Sequence, residues 1–366
     1  MKILVVNTAV GPLGGGCGGG VERTLGSLVA GLLQRGHAIT VLAAEGSLLP
    51  PNCRGAELWQ EPGVPQPSWQ HRSRDAAVEI PAGSLLAACW QRALSEQARF
   101  DVLLNLGYDW LPLWLTPHTS TPLAHLVSMG SVSNAMDELI AQISHSHPSH
   151  LAFHTASQAG DFALSGAPLL LGNGFDLEQY RFEEAPQGQL GWAGRIAPEK
   201  GLEDAAAAAA ALGLPLVVMG LVEDTTYAER VAASVPGGTL IWKGFLEPAA
   251  LQAELGRCQV LLNTPKWNEA FGNVVVEALA CGVPVASYAR GGPAELVVEG
   301  VNGALAEADD VESLVAACRR AMGIERACCR AWAEQHCSLA GFASRVEDWL
   351  QGLLVWTAPP QIGSCP

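Results

Sequence analysis

The chain has 366 residues, more than one hydrophobic core usually serves, so its length favours two α/β-sized domains over one. With 36 acidic against 21 basic residues the formal net charge is -15, which repels phosphate backbones and anionic lipid and makes nucleic acid and membrane poor partners. An anionic small molecule stays compatible with that charge, because a few converging cations govern the short distances that salt leaves unscreened.

The opening run of Ile3, Leu4, Val5 and Val6 is ended by Asn7 and Thr8, too soon for a secretory core, and reads as a buried first strand. A glycine-rich loop follows, and then Val21, Leu25, Leu28, Val29, Leu32 and Leu33 share one helical face. Gly36 stops that helix and residues 39–42 form the next strand, a βαβ unit whose parallel strands need covering helices. Residues 48–81 are proline-rich, with Trp59, Trp69 and His71 out of any period, and read as a long loop region. Strand-like runs resume at residues 102–105 and 123–127.

A more regular series begins at Leu190: apolar runs at 190–193, 216–220, 240–242, 260–263 and 283–287 recur at the spacing of strand, helix and two loops. Continuous rather than alternating apolar strands indicate a doubly wound parallel sheet, which takes ligands at the carboxyl ends of its strands. The expected division is a first domain over 1–166, a second over 167–337 and a tail over 338–366, amphipathic from Ser338 to Trp356 and disordered from Pro359. The longest membrane-span candidate, residues 205–216, is alanine-rich and broken by Gly213 and Pro215. Ten cysteines show no CxxC spacing, so the expectation is a soluble, cytoplasmic protein with reduced thiols.

Three segments carry chemistry. Residues 14–20 read GGGCGGG ahead of a helix, so Gly20 and its neighbours can offer amides to a phosphate; a merely flexible loop explains the run about as well. In GWAGRIAPEKG, Arg195 and Lys200 follow a buried strand at the ligand end of the sheet and can neutralise a diphosphate leaving group without a metal. No Asp-x-Asp occurs, which argues against metal-held diphosphate chemistry; the plain structural alternative is a surface pair with Arg195 bridging Glu199. In NEAFGNVVVEALACG, the amides of Phe271, Gly272, Asn273 and Val274 open a helix and Gly272 permits close backbone approach. Glu269 precedes that helix, and Glu277 lies four residues after Asn273 on the same face, so each carboxylate can accept from vicinal hydroxyls. As ordinary helix residues they would be a dipole partner and a satisfied side chain, a reading that leaves Glu277 in an apolar run unexplained.

These segments, with ARGGPAELV and the NGFD at Asn173, resemble the retaining glycosyltransferases of family 4, whose fold is GT-B: α/β, two Rossmann-like doubly wound domains facing across a cleft. GRIAPEKG is similar to the family's phosphate-binding turn, and Glu269 to Glu277 to its Glu-x7-Glu signature. The resemblance implies a UDP-sugar-dependent hexosyltransferase with Arg195, Lys200 and Glu269 catalytic. Arg195 and Lys200 would hold the diphosphate, Glu277 the ribose, Glu269 with the amides from Phe271 to Val274 the sugar, and Gly20 would lie near the phosphate. It also implies that the tail helix crosses back to the first domain. VGPLGGGCGGGVE, NLGYDWLPLWLTP, HLVSMGSVSNAMDE and TPKWNEAFGN further resemble a cyanobacterial branch acting on tetrahydrobiopterin, which implies UDP-glucose as co-substrate, a reduced pterin as acceptor and an α-glucosidic product, with no cofactor and no metal.

Many members of the family carry a histidine where this chain has Ser128, followed by Met129, while His125 is three residues early and should face the strand environment. Tyr108, with Trp69 and Trp110, can stack on a flat acceptor, and Asp109 and Asp137 can orient its hydroxyl; packing and helix capping are the alternatives for these residues. His145, His147, His150 and His154 fit no common zinc spacing. Two enzyme alternatives share the fold, an epimerase and a pyridoxal phosphate-dependent phosphorylase, beside transfer to another small-molecule or glycan acceptor; a third class is a non-catalytic nucleotide-sugar-binding regulator.

Overall fold

Apolar side chains occupy both faces of the central strands, and strands buried on both faces pair in parallel beneath helical layers. The computed structural model describes residues 1–14 and 19–356, so residues 15–18 of the glycine loop and the tail from Pro359 lie outside the described residues. The chain divides into two units, one of Met1–Gly174 with the segment from Leu339, the other of Phe175–Ser338.

In the first unit β1 (Lys2–Val6), β2 (Ala38–Ala44), β3 (Glu57–Glu61), β4 (Val102–Asn105), β5 (Leu123–Leu126) and β6 (Leu151–Ala152) form one sheet in the order β3-β2-β1-β4-β5-β6. The pairing is parallel, with Ile3 opposite both Ile39 and Val102. Alternation along the strands splits the core in two. Ile3, Val5, Val41 and Leu104 face the helix Gly19–Gln34 through Leu25, Leu28 and Leu32, while Leu4, Val6, Leu42 and Leu103 face the helix Leu85–Glu96 through Leu86, Cys89 and Trp90. The helix Leu339–Trp356 lies along Gly19–Gln34, and a Cβ added at Gly31 would sit 2.6 Å from that of Ala343.

The second unit repeats the plan with β7 (Gln189–Ala193), β8 (Leu216–Met219), β9 (Leu240–Gly244), β10 (Cys258–Asn263), β11 (Val285–Tyr288) and β12 (Gly303–Ala306) in the order β12-β11-β10-β7-β8-β9. Leu190, Trp192, Val218 and Leu262 pack beneath the helices Leu202–Leu212 and Val311–Ala321; Val217, Met219, Leu261 and Val285 pack on the helix Asn273–Ala280. Two parallel doubly wound sheets are thus present, as expected.

Several elements differ from the sequence reading. Residues 48–81 are not one loop: they contain β3 and short 3-10 turns at Pro51–Cys53 and Trp69–His71. Like β3, β6 and β12 lack the apolar runs that marked the remaining strands, and the first helix begins at Gly19 rather than Val21. Among the described residues no helix is long and apolar enough to cross a membrane.

Candidate active site

Arg195 follows β7 in a turn held on both sides: Gly194 N donates to Met219 O at 3.0 Å and Ile196 N to Leu221 O at 2.8 Å, across the adjoining β8. A 3-10 turn, Pro198–Lys200, then carries Lys200, and Gly201 closes it at φ 64 before the helix Leu202–Leu212 begins. That glycine is required twice over, because a Cβ there would also lie 2.1 Å from Thr264 O.

The order β10-β7 brings the loop after β10 against this turn. Thr264 Oγ1 accepts from Trp192 Nε1 at 3.2 Å and donates to Gly201 O at 2.8 Å, and Lys266 N donates to Glu199 O at 2.9 Å. Lys200 and Glu269 consequently meet in an ion pair, with side chains 21% and 11% exposed. Trp267 Nε1 donates to Glu269 Oε1 at 3.4 Å, and the Lys200 ammonium sits 5.4 Å from the Trp267 ring centroid. The Glu269 backbone is fixed as well, since Gly292 N donates to its carbonyl at 2.7 Å. Arg195 is likewise paired, with Glu199 at 2.8 Å and with Glu223. The Arg195–Glu199 bridge weighed as a plain structural alternative is therefore present, beside a second carboxylate that sequence reasoning missed. Glu223 follows β8 in the segment that meets Ile196, and only that loop's position relative to β7 marks it out.

Phe271 and Gly272 are buried, and Gly272 at φ 98 turns the chain into the helix Asn273–Ala280, where Asn273 and Val274 are half-buried. Glu277 is 4% exposed inside that helix; the Tyr180 hydroxyl donates to its Oε1 at 3.5 Å. Two cations and several carboxylates, with a helix start, thus gather at the carboxyl ends of β7, β8 and β10, an arrangement able to receive a diphosphate and hydroxyl groups. A network of Lys266, Asp204, Tyr288, Asp309 and Arg290 braces the same loop, with Arg290 Nη1 donating to Pro265 O at 2.9 Å and Tyr288 to Asp204 at 2.6 Å.

The remaining candidates lie in the first unit. Gly20 is exposed in the first turn of Gly19–Gln34, its carbonyl accepting from Thr24 Oγ1 at 3.1 Å. Tyr108 and Asp109 follow β4; the Tyr108 hydroxyl is buried with no hydrogen-bond partner, and its burial raises its pKa. Asp109 Oδ1 accepts from Trp69 Nε1 at 3.3 Å, and burial pushes this carboxyl up to about 7 against the opposing Trp69 N–H and Arg72 charge. It stands at the start of the helix Trp110–Leu115 without a side-chain capping bond. Ser128 and Met129 are half-buried after β5, and Gln158 Nε2 donates to Met129 O at 2.9 Å. Asp137 accepts from Ser131 at 2.7 Å and pairs with Arg74; burial raises it, with those partners opposing.

His125 is buried, as its place in the strand suggested. Asn105 Nδ2 donates to its Nδ1 at 3.1 Å, and its Nε2 lies 2.8 Å from a Thr116 hydroxyl already donating to Leu113 O, so the ring is a neutral Nε2–H tautomer. Burial lowers it to about 3. His150 and His154 each face a backbone carbonyl through Nδ1, at 2.8 and 2.7 Å.

Comparison with known proteins agrees with this geometry. Residues 181–335 match the family described as Glycosyl transferases group 1. A 2-deoxystreptamine N-acetyl-D-glucosaminyltransferase of Streptomyces fradiae is 35% identical over 136 residues, 35% of this chain and 32% of that protein, so the match spans about a third of the relative's length. Among solved structures, AviGT4, a glycosyltransferase involved in avilamycin A biosynthesis, superposes with a TM-score of 0.72 at 20% identity over 97% of this chain and 98% of its own. Anabaena Alr3699/HepE, solved with UDP and glucose, gives a TM-score of 0.72 at 17% identity over 96% of this chain and 100% of its own. The fold is accordingly the two-domain α/β fold of GT-B glycosyltransferases.

Proposed function

We propose that the chain is a retaining glycosyltransferase that moves glucose from UDP-glucose to a reduced pterin, tetrahydrobiopterin, without a metal ion. The observation that carries the donor half of this reading is the pairing of Lys200 with Glu269 beside Arg195 at the carboxyl ends of β7 and β10, while glucose, retention and the pterin acceptor rest on the resemblance of the sequence segments. The match of residues 181–335 to group 1 glycosyl transferases supports nucleotide-sugar chemistry there, and the likeness to a protein solved with UDP and glucose supports that donor. The described cysteines are free thiols, which supports a reducing, cytoplasmic setting.

In this reading Arg195 and Lys200 leave their carboxylates for the diphosphate and neutralise the charge that grows on it as the bond from its oxygen to the sugar breaks. The acceptor oxygen bonds to the anomeric carbon on the same face, and its proton passes to the departing phosphate oxygen. Glu269, released from Lys200, accepts from sugar hydroxyls, and Glu277 accepts from the ribose. The test is UDP release from UDP-glucose with and without tetrahydrobiopterin. Acceptor-dependent release is expected from the wild type, and Lys200→Ala and Glu269→Ala are each expected to lower it at least about a hundredfold while the protein stays folded. Wild-type turnover in both variants sinks the assignment. The Streptomyces relative's name specifies an aminocyclitol acceptor, which favours a second reading with a saturated polyol; the same assay with 2-deoxystreptamine decides between them.

A further inference from the structure

Each of the two sheets ends in two edge strands, and an open edge presents N–H and C=O groups that folded proteins ordinarily close or blunt. Three of these edges are managed. Along β12, Gly303 O accepts from Gly300 N at 3.0 Å, Leu305 N donates to Glu299 Oε2 at 2.8 Å and Leu305 O accepts from Arg320 Nη2 at 2.9 Å. β6 is two residues long and runs into Phe153, whose N–H donates to Leu169 O at 2.9 Å and whose carbonyl accepts from Leu171 N at 2.8 Å. β3 begins and ends in a glutamate, Glu57 and Glu61. β9 has none of these devices: among the described residues it pairs with β8 alone.

Leu216 N donates to Thr239 O at 2.8 Å and Val217 stands opposite Ile241, so alternation turns the backbone groups of Leu240 and Trp242 outward. The side chains add apolar surface, with Ile241 38% and Trp242 39% exposed. Leu240 and Trp242 also line a shallow cavity of about 200 Å³ with Val235 and Pro236. Charge selects the partner. In a chain of net charge -15, residues 234–246 carry one charged side chain, Lys243, and Glu254 pairs with it at 3.4 Å, so a second acidic copy can approach here without carboxylates of this segment meeting. A two-fold axis sets a strand against itself in antiparallel pairing. With the axis at Ile241, Leu240 of each copy exchanges hydrogen bonds with Trp242 of the other, and Lys243 faces Thr239 rather than its own counterpart. An axis at Trp242 would instead set Leu240 against Gly244, whose carbonyl already accepts from Gly220 N at 2.8 Å.

We propose that β9 is a homodimer interface, at which two copies of this chain join their second-unit sheets antiparallel about a two-fold axis at Ile241. The proposal is independent of the transferase reading. Across the axis the two Ile241 residues form a non-hydrogen-bonded pair with Cα atoms about 4.5 Å apart, so like charges placed there oppose each other directly. The full chain is examined by sedimentation equilibrium at micromolar concentration, where the wild type is expected to be a dimer. Ile241→Lys and Ile241→Glu, at a position exposed in the single copy, are each expected to weaken self-association at least about tenfold. Mixed in equal amounts, the two variants are expected to form a heterodimer, which native mass spectrometry distinguishes by mass; a merely damaged strand would not be rescued by mixing. Wild-type dimerisation in both variants, or two folded variants that stay monomeric when mixed, overturns the proposal. A wild type that is monomeric overturns it too and leaves the edge to an extended segment of another protein. If either variant fails to fold, amide exchange in the wild type decides. Protection of Leu240 and Trp242 that grows with protein concentration supports the interface, and protection independent of concentration overturns it.

Discussion

At the scale of single residues, Asp109 shows how burial sets charge. The residue is 4% exposed, and the climb of its carboxyl from 3.8 to about 7 corresponds to about 4 kcal/mol of differential interaction. The folded state keeps the proton between those values while the unfolded chain has released it, so this group's contribution is fully present below 3.8 and is lost as pH rises toward 7. His125 has the opposite sign: lowered from 6.5 to about 3, it contributes above 6.5 and is lost as pH falls. Asparagine mimics the protonated carboxyl, so Asp109→Asn is expected to match the wild type near pH 4 and to exceed it by up to about 4 kcal/mol above pH 7. Urea unfolding of both proteins across that range measures the gap; a gap that does not grow with pH refutes the buried-acid account. The charges of the site were legible for a related reason. Arg195, Lys200, Glu269 and Glu277 stand inside or just beyond apolar runs, where a charge needs a cause. That Lys200 meets Glu269 was not legible, because it follows from β10 pairing with β7, strands far apart in the chain.

At the scale of elements, the same distinction separates the strands that sequence shows from those it hides. β1, β4, β7, β8 and β10 are apolar on both faces and stand out as continuous runs. β3, Glu-Leu-Trp-Gln-Glu, is an edge strand only partly buried, so its polar residues are no fault and its pattern is that of a loop. β12, Gly-Ala-Leu-Ala, has low strand propensity, yet Gly303 is needed there because a Cβ would lie 2.2 Å from Val285 O. Close approach also governs the helix pair at Gly31. Alanine is the better helix former by about 1 kcal/mol, but its methyl would meet Ala343, and such overpacking costs about 1–3 kcal/mol. Gly31→Ala is therefore expected to lower the melting temperature, and Ala343→Gly to restore part of the loss when combined with it. Additive effects in the double variant would show that the two helices do not meet there.

At the scale of the whole molecule, the net charge of -15 and the cations of the site act over different distances. Arg195 and Lys200 already face carboxylates of their own, Glu199, Glu223 and Glu269, so in the proposed donor role a diphosphate would exchange partners rather than find bare charge. Approach and binding should then respond to salt with opposite signs. Raising ionic strength from 0.01 to 0.1 M shortens the screening length from about 30 Å to about 10 Å, which removes most of the repulsion between an acidic protein and an anionic donor before contact. The association rate of UDP-glucose is expected to rise about twofold over that range, while the dissociation rate rises further because contact pairs with phosphate weaken, leaving the affinity lower. Stopped-flow tryptophan fluorescence reads both rates, with Trp267→Phe as the control that assigns the change to the tryptophan beside the Lys200 ammonium, one of eleven in the chain. An association rate that falls with salt would mean that the local cations steer the donor from a distance, and that the global charge does not govern its approach.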